Sequence, residues 1–393
     1  MEMAAVDSRQ RILAALTGSR VDRIPWIPLL SGSYFASLPE YRRKFAHLFR
    51  AGYIHPQFNT FSDVLDALAF RVGFYRSIGA DYMHWGATPP WDVENDAVST
   101  RVEERGVRTL VHYETAIGSL TQEQHRSLTA KTIFPVDSLL KSVEDYRVYA
   151  FILRHSRIVP RHDRLQQYLD VIGNGGVAFI YTPSPPIKDW LLNDILLKDL
   201  VFALVDHPQE LAEVETLGHT RNMELCRILA SSPGRVFMDY AVTGTGMISP
   251  RIFREHYLGY TKQYAKILHE KGKTYLNHAS GEPLRAILSM VADSGVDGLY
   301  GISLPKFGHG DATLAEIRSA LGPDVTVIAG IEPHILATGT EQDIKEATRY
   351  ALDQCVQIGG RVMLGTVDDT PYGTPPRNLA AVSEVVEKYH YLT

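Results

Sequence analysis

The chain has 393 residues, of which 45% are hydrophobic and 22% charged. These are the proportions of a folded globular protein and exclude a largely disordered one. The formal charge is −5, so there is no basic surplus to neutralise a phosphate backbone, and nucleic acid is not an expected partner. Only two cysteines occur, Cys226 and Cys355, which excludes a disulfide scaffold or a Cys-rich metal cluster and suits a cytoplasmic location.

In chain order, the first sixteen residues read as an amphipathic helix and not as a signal peptide. No apolar run approaches about 18 residues, so no membrane span is expected. No repeat of about 20–50 residues occurs, and no Gly/Ser linker or charge block divides the chain. A single domain over 1–393 is therefore expected. Eight short apolar segments read as strands: 24–30, 80–85, 177–181, 236–240, 274–278, 298–302, 325–329 and 361–365. Pro25 and Pro28 weaken the first of them. Helical patterns alternate with the later strands, which implies parallel strands joined by crossover helices. Eight such strands imply an α/β fold of one kind, a closed (β/α)8 TIM barrel with no sheet edges.

The stretch from about 87 to 174 breaks this rhythm. Residues 101–114 alternate like a two-stranded ribbon and 136–167 read as helices, so an inserted rim or lid segment is expected there. The helix after the fourth strand is the clearest. Ser249 can cap it and Pro250 suits its first position. Phe253, Tyr257, Tyr260, Tyr264 and Ile267 then line one face, and Lys271-Gly272-Lys273 ends it.

In a TIM barrel the chemistry lies at the C-terminal ends of the strands. Those ends carry His84 and Trp85, Tyr181, Asp239 and Tyr240, Asn277 and His278, Tyr300, Glu332, and Asp368 with Asp369. His278 ends its strand and can bind a metal or move a proton near neutral pH, or it is a hydrogen-bonded rim histidine. Asp368 and Asp369 either start the turn Thr370-Pro371-Tyr372-Gly373 or, as close like charges, raise one pKa or recruit a cation. His278 with Asp368 is a mixed nitrogen and oxygen set of the type zinc accepts. Asp239 and Glu332 are read as general bases or ligands, with Glu332 before Pro333 also readable as a helix-start acid. His84, Trp85, Tyr181, Tyr240, Asn277 and Tyr300 are read as substrate-binding, and Trp91 and Trp190 add to the means of holding a flat ring. Thr243-Gly244-Thr245-Gly246 lacks the ending of a phosphate loop. No serine nucleophile elbow is present, and neither cysteine has a motif around it.

Five further segments, taken in order, resemble the uroporphyrinogen decarboxylase superfamily, which includes corrinoid-dependent methyltransferases. They are Leu38 to Arg42 (LPEYR), Thr115 to Leu120 (TAIGSL), Met247 to Pro250, Ala329 to Pro333 followed by Gly339-Thr340, and Thr374 to Asn378 (TPPRN). The resemblance covers most of the chain and is best from residue 236 onward. It implies a (β/α)8 barrel. The decarboxylases of the family use an Arg-rich N-terminal loop and a Phe-Ser-Asp string after the second strand. Here residues 30–35 hold no arginine, and Phe61-Ser62-Asp63 precedes the second strand. The methyltransferase branch has a His-x-Cys-Gly motif and a later Gly-Cys that bind zinc. In this chain His278-Ala279-Ser280-Gly281 keeps the histidine, and Asp368 stands about where the second cysteine belongs. Any metal would therefore be held by harder ligands than two thiolates, which suits an oxygen substrate better than a thiol.

The resemblance thus implies a methyltransferase that demethylates a methoxylated, aromatic small molecule. The methyl acceptor would be a corrinoid on a separate protein, since the chain shows no corrinoid-binding module. Zinc is the metal expected if one is bound at His278 and Asp368, and a homodimer is an admissible assembly. A decarboxylase or other lyase is the alternative, with Arg42, Arg43 and Arg377 to hold substrate carboxylates, and a non-enzymatic binding protein is a third reading. All of them expect residues near 239, 278, 332 and 368 to open onto one cavity.

Overall fold

The computed structural model describes residues 6–49, 56–85, 89–127 and 132–389, the side chains of His84 and Trp85 excepted. In chain order its strands are β1 (Trp26–Ile27), β2 (Tyr82–Trp85), β3 (Trp91–Glu94), β4 (Ser99–Arg105), β5 (Arg108–Thr115), β6 (Gly118–Arg126) and β7 (Ile133–Pro135). Then follow β8 (Arg157–Pro160), β9 (Gly176–Tyr181), β10 (Val236–Val242), β11 (Thr274–His278), β12 (Gly298–Ile302), β13 (Thr326–Ile331) and β14 (Val362–Thr366). Eight of these form one parallel sheet in the order β1-β14-β13-β12-β11-β10-β9-β2. Apart from a shortened β1, these are the eight strands expected from the sequence, and the fold is a (β/α)8 TIM barrel.

Asp81 draws the two ends of the sheet together. Its N–H donates to the Trp26 carbonyl at 2.7 Å, and its carboxylate accepts from the Trp26 N–H at 3.1 Å. The same carboxylate pairs with Arg11 at 2.5 Å and Arg23 at 2.9 Å. Arg11 in turn holds Asp22. An acid 1% exposed is thus neutralised by two guanidinium groups. The helix Ser8–Thr17, capped by Asp7, carries Arg11 and places Ile12, Ala15 and Leu16 against the barrel interior.

Alternate residues on each strand face that interior. Val177 and Phe179, Val236, Met238 and Tyr240, Leu276, Tyr300, Ile328 and Met363 fill it. The residues between them, such as Phe237, Tyr275 and Leu299, pack against the helices outside. Two interior phenols tie strands together. The Tyr240 hydroxyl donates to the Phe179 carbonyl at 2.6 Å, and the Tyr300 hydroxyl donates to the Ile27 carbonyl at 3.1 Å.

Between β2 and β9 the ribbon expected at 101–114 is β4 paired with β5, but it belongs to a four-stranded antiparallel sheet, β4-β5-β6-β7. The region read as wholly helical holds helices Val143–His155 and His162–Ile172 with β8 between them, paired to β3. Leu120 of β6 packs with Leu139 and Val148, giving this sheet a small core of its own.

Several motif residues turn out to shape backbone. Thr60 and Asp63 form the capping box of helix Phe61–Ser77, so the Phe-Ser-Asp string starts a helix. The TAIGSL segment is the turn between β5 and β6, where the Thr115 hydroxyl donates to the Gly118 carbonyl at 2.7 Å. Ser249 caps the helix after β10 as expected. That helix runs through a π-helical turn, Phe253–Leu258, before Gly259–His269. Thr340 and Asp343 form the capping box of Glu341–Ile358. Among the described residues no helix is long and apolar enough to cross a membrane.

Candidate functional site

His278, the last residue of β11, is buried, and its Nδ1 lies 3.3 Å from the Tyr240 carbonyl. Its ring packs on the backbone of Gly301. A Cβ there would lie 3.0 Å from His278 Cδ2 and 2.3 Å from the Val367 carbonyl oxygen, and Gly301 has φ +78. Only glycine accepts that backbone and that proximity together. Burial lowers the His278 pKa, with the Asp368 carboxylate opposing it. The imidazole is therefore neutral near pH 7.

Above the histidine, Ser280 donates its hydroxyl proton to Asp368 Oδ2, and Asp368 Oδ1 accepts the Asp369 N–H at 2.7 Å. Asp369 itself accepts from the Ser31 N–H at 2.9 Å, the Ser31 hydroxyl at 2.5 Å and the Ser33 hydroxyl at 3.2 Å. It thereby ties the loop after β14 to the start of helix Gly32–Ser37. Burial pushes the Asp369 pKa up to about 6 against these hydrogen bonds, and neighbouring Asp368 adds to the rise. Tyr181, at the end of β9, meets Tyr240 edge-on with ring centroids 4.0 Å apart. Burial and the Asp369 carboxylate push its pKa up to about 12. The Tyr300 and His278 rings lie 5.6 Å apart. Tyr181, Ser280, Asp368 and Asp369 are partly exposed, with Tyr240, His278 and Tyr300 buried. His278, Asp368, Tyr181, Tyr240 and Tyr300 are therefore brought together at the barrel mouth. His84 and Trp85 end β2, and their side chains lie outside the described residues.

Asp239 is not part of this group. Its neighbours Met238 and Tyr240 face the interior, so its carboxylate points outward, toward the helices. It is fully buried, pairs with Lys188 Nζ at 2.7 Å, and accepts from the Ser184 hydroxyl at 2.5 Å and the Ala241 N–H at 3.0 Å. Lys188 also donates to the Thr243 hydroxyl at 2.8 Å. Burial lowers the Lys188 pKa, with Asp239 pulling it back up. Asn277, opposite Asp239 in register, shares this outward side, and its buried Oδ1 has no hydrogen-bond partner among the described residues. A small cavity of about 20 Å³ beside Lys188 is bounded by Val242, Gly244, Met247, Tyr257 and Glu282.

Glu332 is likewise engaged elsewhere. It precedes helix Pro333–Thr338, and Oε1 accepts the Ser303 hydroxyl at 2.5 Å. Ser303 Oγ accepts in turn from the His309 and Gly310 N–H groups. Gly308 lies so close that a Cβ there would be 1.8 Å from Glu332 Oε1. The carboxylate is covered by the loop after β12. The single cavity expected to join 239, 278, 332 and 368 thus divides in three. His278 and Asp368 share the mouth, Asp239 lies outside the strands, and Glu332 lies under the loop after β12.

The donor set expected for zinc fits poorly. Among the described residues no group of three His, Cys, Asp or Glu side chains is arranged to hold a metal. His278 and Asp368 supply two donors where a catalytic zinc takes three from the protein. Both Asp368 oxygens already accept hydrogen bonds. Sequence reasoning missed Lys188, Ser280, Ser303 and Ser31. A lysine among Pro186, Ile187, Trp190, Leu191 and Leu192 was the one available signal, because an ammonium buried among such neighbours needs an anion.

Residues 234–389 match the family model of uroporphyrinogen decarboxylase (URO-D), so the resemblance read from the sequence is borne out over β10 to β14. A search of curated protein sequences returns no match. Among solved structures, a methyltransferase from Methanosarcina mazei superposes with a TM-score of 0.61 at 14% identity, covering 98% of this chain and 99% of that one. At that identity the likeness shows a common fold. An AP endonuclease of family 2 from Brucella melitensis (TM-score 0.35, 14% identity) covers 56% of this chain and 81% of its own, and a D-psicose 3-epimerase from Clostridium cellulolyticum H10 (0.34, 12%) covers 57% and 82%.

Proposed function

We propose that the protein is a methyltransferase that removes the methyl group from a methoxylated aromatic small molecule and passes it to a corrinoid on a separate protein. The observation that carries this reading is the make-up of the mouth. Paired phenol rings, a neutral imidazole and a serine–carboxylate pair meet there, while Lys188 is committed to Asp239. Such a surface holds a neutral ring better than several carboxylates. The full-length superposition on a methyltransferase supports the same reading.

In this reaction the aryl oxygen–methyl bond breaks and the oxygen keeps the electron pair. A cob(I)alamin-type corrinoid, entering as co-substrate, supplies two electrons to the new cobalt–carbon bond. The developing phenolate needs a hydrogen-bond donor and finally a proton. Tyr181, which holds its own proton up to about pH 12, is the hydrogen-bond donor we assign, and the proton that finally neutralises the phenolate comes from water. Tyr240 supports the Tyr181 ring, with its own hydroxyl held by Phe179. No step is assigned to a metal.

A decarboxylase is the second reading, favoured by the family model over 234–389. The arginines expected to serve it are otherwise disposed. Arg42 stacks on Phe49 and donates to the Ala36 carbonyl, and Arg43 and Arg377 are exposed. The test is to mix the protein with reduced corrinoid and 2-methoxyphenol. Growth of methylcobalamin absorbance is the expected result. No such absorbance, together with carbon dioxide release from a porphyrinogen, overturns the proposal in favour of the second reading.

A further inference from the structure

Ser280 is the only residue other than glycine with a positive φ among the described residues, at +51. Glycine would adopt this left-handed conformation at no steric cost, as Gly281 does next to it at φ +74. A side chain kept in such a place is held by what it bonds. Here the hydroxyl donates to Asp368, whose other oxygen is fixed by the Asp369 N–H. A serine hydroxyl has one proton and two lone pairs. With the proton given to Asp368, only acceptor capacity remains on Ser280, and Asp368 is acceptor throughout.

The loop around the pair adds few donors. The Ala279 N–H is spent on the Tyr300 carbonyl at 2.7 Å, the Gly281 N–H on the Gly301 carbonyl at 2.9 Å, and the Glu282 N–H on the Ala279 carbonyl at 3.0 Å. Ser280 and Asp368 are both partly exposed at the mouth, above His278. The side chains of the Ser280–Asp368 pair therefore present acceptors to whatever enters.

We propose that Ser280, oriented by Asp368, determines specificity by accepting a hydrogen bond from the substrate, so that the preferred substrate is a methoxyarene that also bears a free hydroxyl. This rests on the methyltransferase reading and narrows its substrate class. A site built of acceptors rejects the analogue without the donor, because its own polar groups then stay unpaired.

The test is calorimetric titration of the full chain with 2-methoxyphenol and with 1,2-dimethoxybenzene. The native protein is expected to favour the phenol by about tenfold. Ser280→Ala and Ser280→Gly are both expected to erase that preference, and Ser280→Gly to melt no lower than the native chain. If the preference came from the size of the added methyl group, it would survive in both variants, and the proposal would be overturned. It is also overturned if Ser280→Gly melts lower and keeps the preference, since the serine would then only tie two loops together. Equal binding of both compounds by the native protein, with methyl transfer from each, overturns the proposal and leaves the methyltransferase reading standing. Binding of neither compound, with no methyl transfer, overturns both.

Discussion

Lys188 and Asp239 form an ion pair with almost no contact with water: 2.7 Å separates Nζ from Oδ2, and the two side chains are 4% and 0% exposed. They come from neighbouring barrel units, the helix Pro186–Asn193 after β9 and the strand β10. The pair therefore pins a helix to the outer side of the adjacent strand. Removing one partner leaves the other charged and buried. Lys188→Met and Asp239→Asn are each expected to cost about 3–5 kcal/mol. The double variant Lys188→Met with Asp239→Leu should recover more than half of that loss. Urea unfolding measures all three, and a single-variant cost below about 1 kcal/mol would show that the pair contributes little.

Gly301 is the backbone against which His278 is placed. Alanine there meets the Val367 carbonyl oxygen at 2.3 Å and the imidazole at 3.0 Å, at φ +78. Gly301→Ala should lose at least about 2 kcal/mol. It should also shift the His278 ring resonances in a nuclear magnetic resonance spectrum. Unchanged ring resonances would mean that the imidazole is oriented by other contacts.

Asp369 makes stability at the mouth pH-dependent. Its folded pKa, about 6, lies above the ordinary value of 3.8. The folded chain holds this proton more tightly than the unfolded chain does. The resulting stabilisation is complete below 3.8 and is lost as pH rises through about 6. Asp369→Asn cannot titrate. The stability of the native protein relative to this variant should therefore fall between pH 4.5 and 6.5 and level off above. A difference that stays flat across that range, read from urea midpoints, would contradict the assignment.

Asp81 joins β1 to β2 while pairing with Arg11 and Arg23. Asp81→Asn leaves Arg11, which is 7% exposed, with Asp22 as its remaining carboxylate. A loss of roughly 3 kcal/mol is expected. Faster amide exchange at Trp26 should accompany it, because that N–H donates to the Asp81 carboxylate. Protection at Trp26 equal to that of the native chain would count against this role in closing the barrel.

The barrel was legible because its strands are apolar runs bounded by turns, with helical periods between them, and both signals are local. β11 and β12 lie where the sequence places them, at 274–278 and 298–302. β1 shrank to two residues because Pro25 and Pro28 leave little backbone free to pair. The ribbon at 101–114 alternates clearly, whereas Gly118–Arg126 and Ile133–Pro135 have no such signature apart from their partners. At the site, position along the strand was legible and direction was not. Asp239 and His278 both lie near strand ends, but one residue of parity decides which side each faces. Asp239 reads as a general base or ligand in the sequence because its partner Lys188 is 51 residues away in the chain. In the sequence Ser280 stands only as one residue of His278-Ala279-Ser280-Gly281, with no role of its own. Its left-handed backbone and its bond to Asp368, 88 residues onward, exist only once the barrel closes.

The π-helical turn Phe253–Leu258 has a consequence for how this helix can vary. Such a turn takes up one residue more than an α-helix of the same rise. Here it holds His256 with Nδ1 at 3.0 Å from both oxygens of Glu215 on the helix Pro208–Ser231. Deleting a single residue within 253–258 would let the segment relax to ordinary α geometry and keep Tyr264 and Leu268 in the core. An insertion elsewhere in the same helix would instead rotate everything beyond it by about 100°. Length changes in this helix are thus absorbed at one point, and the loss of the imidazole's grip on Glu215 would be the mark they leave.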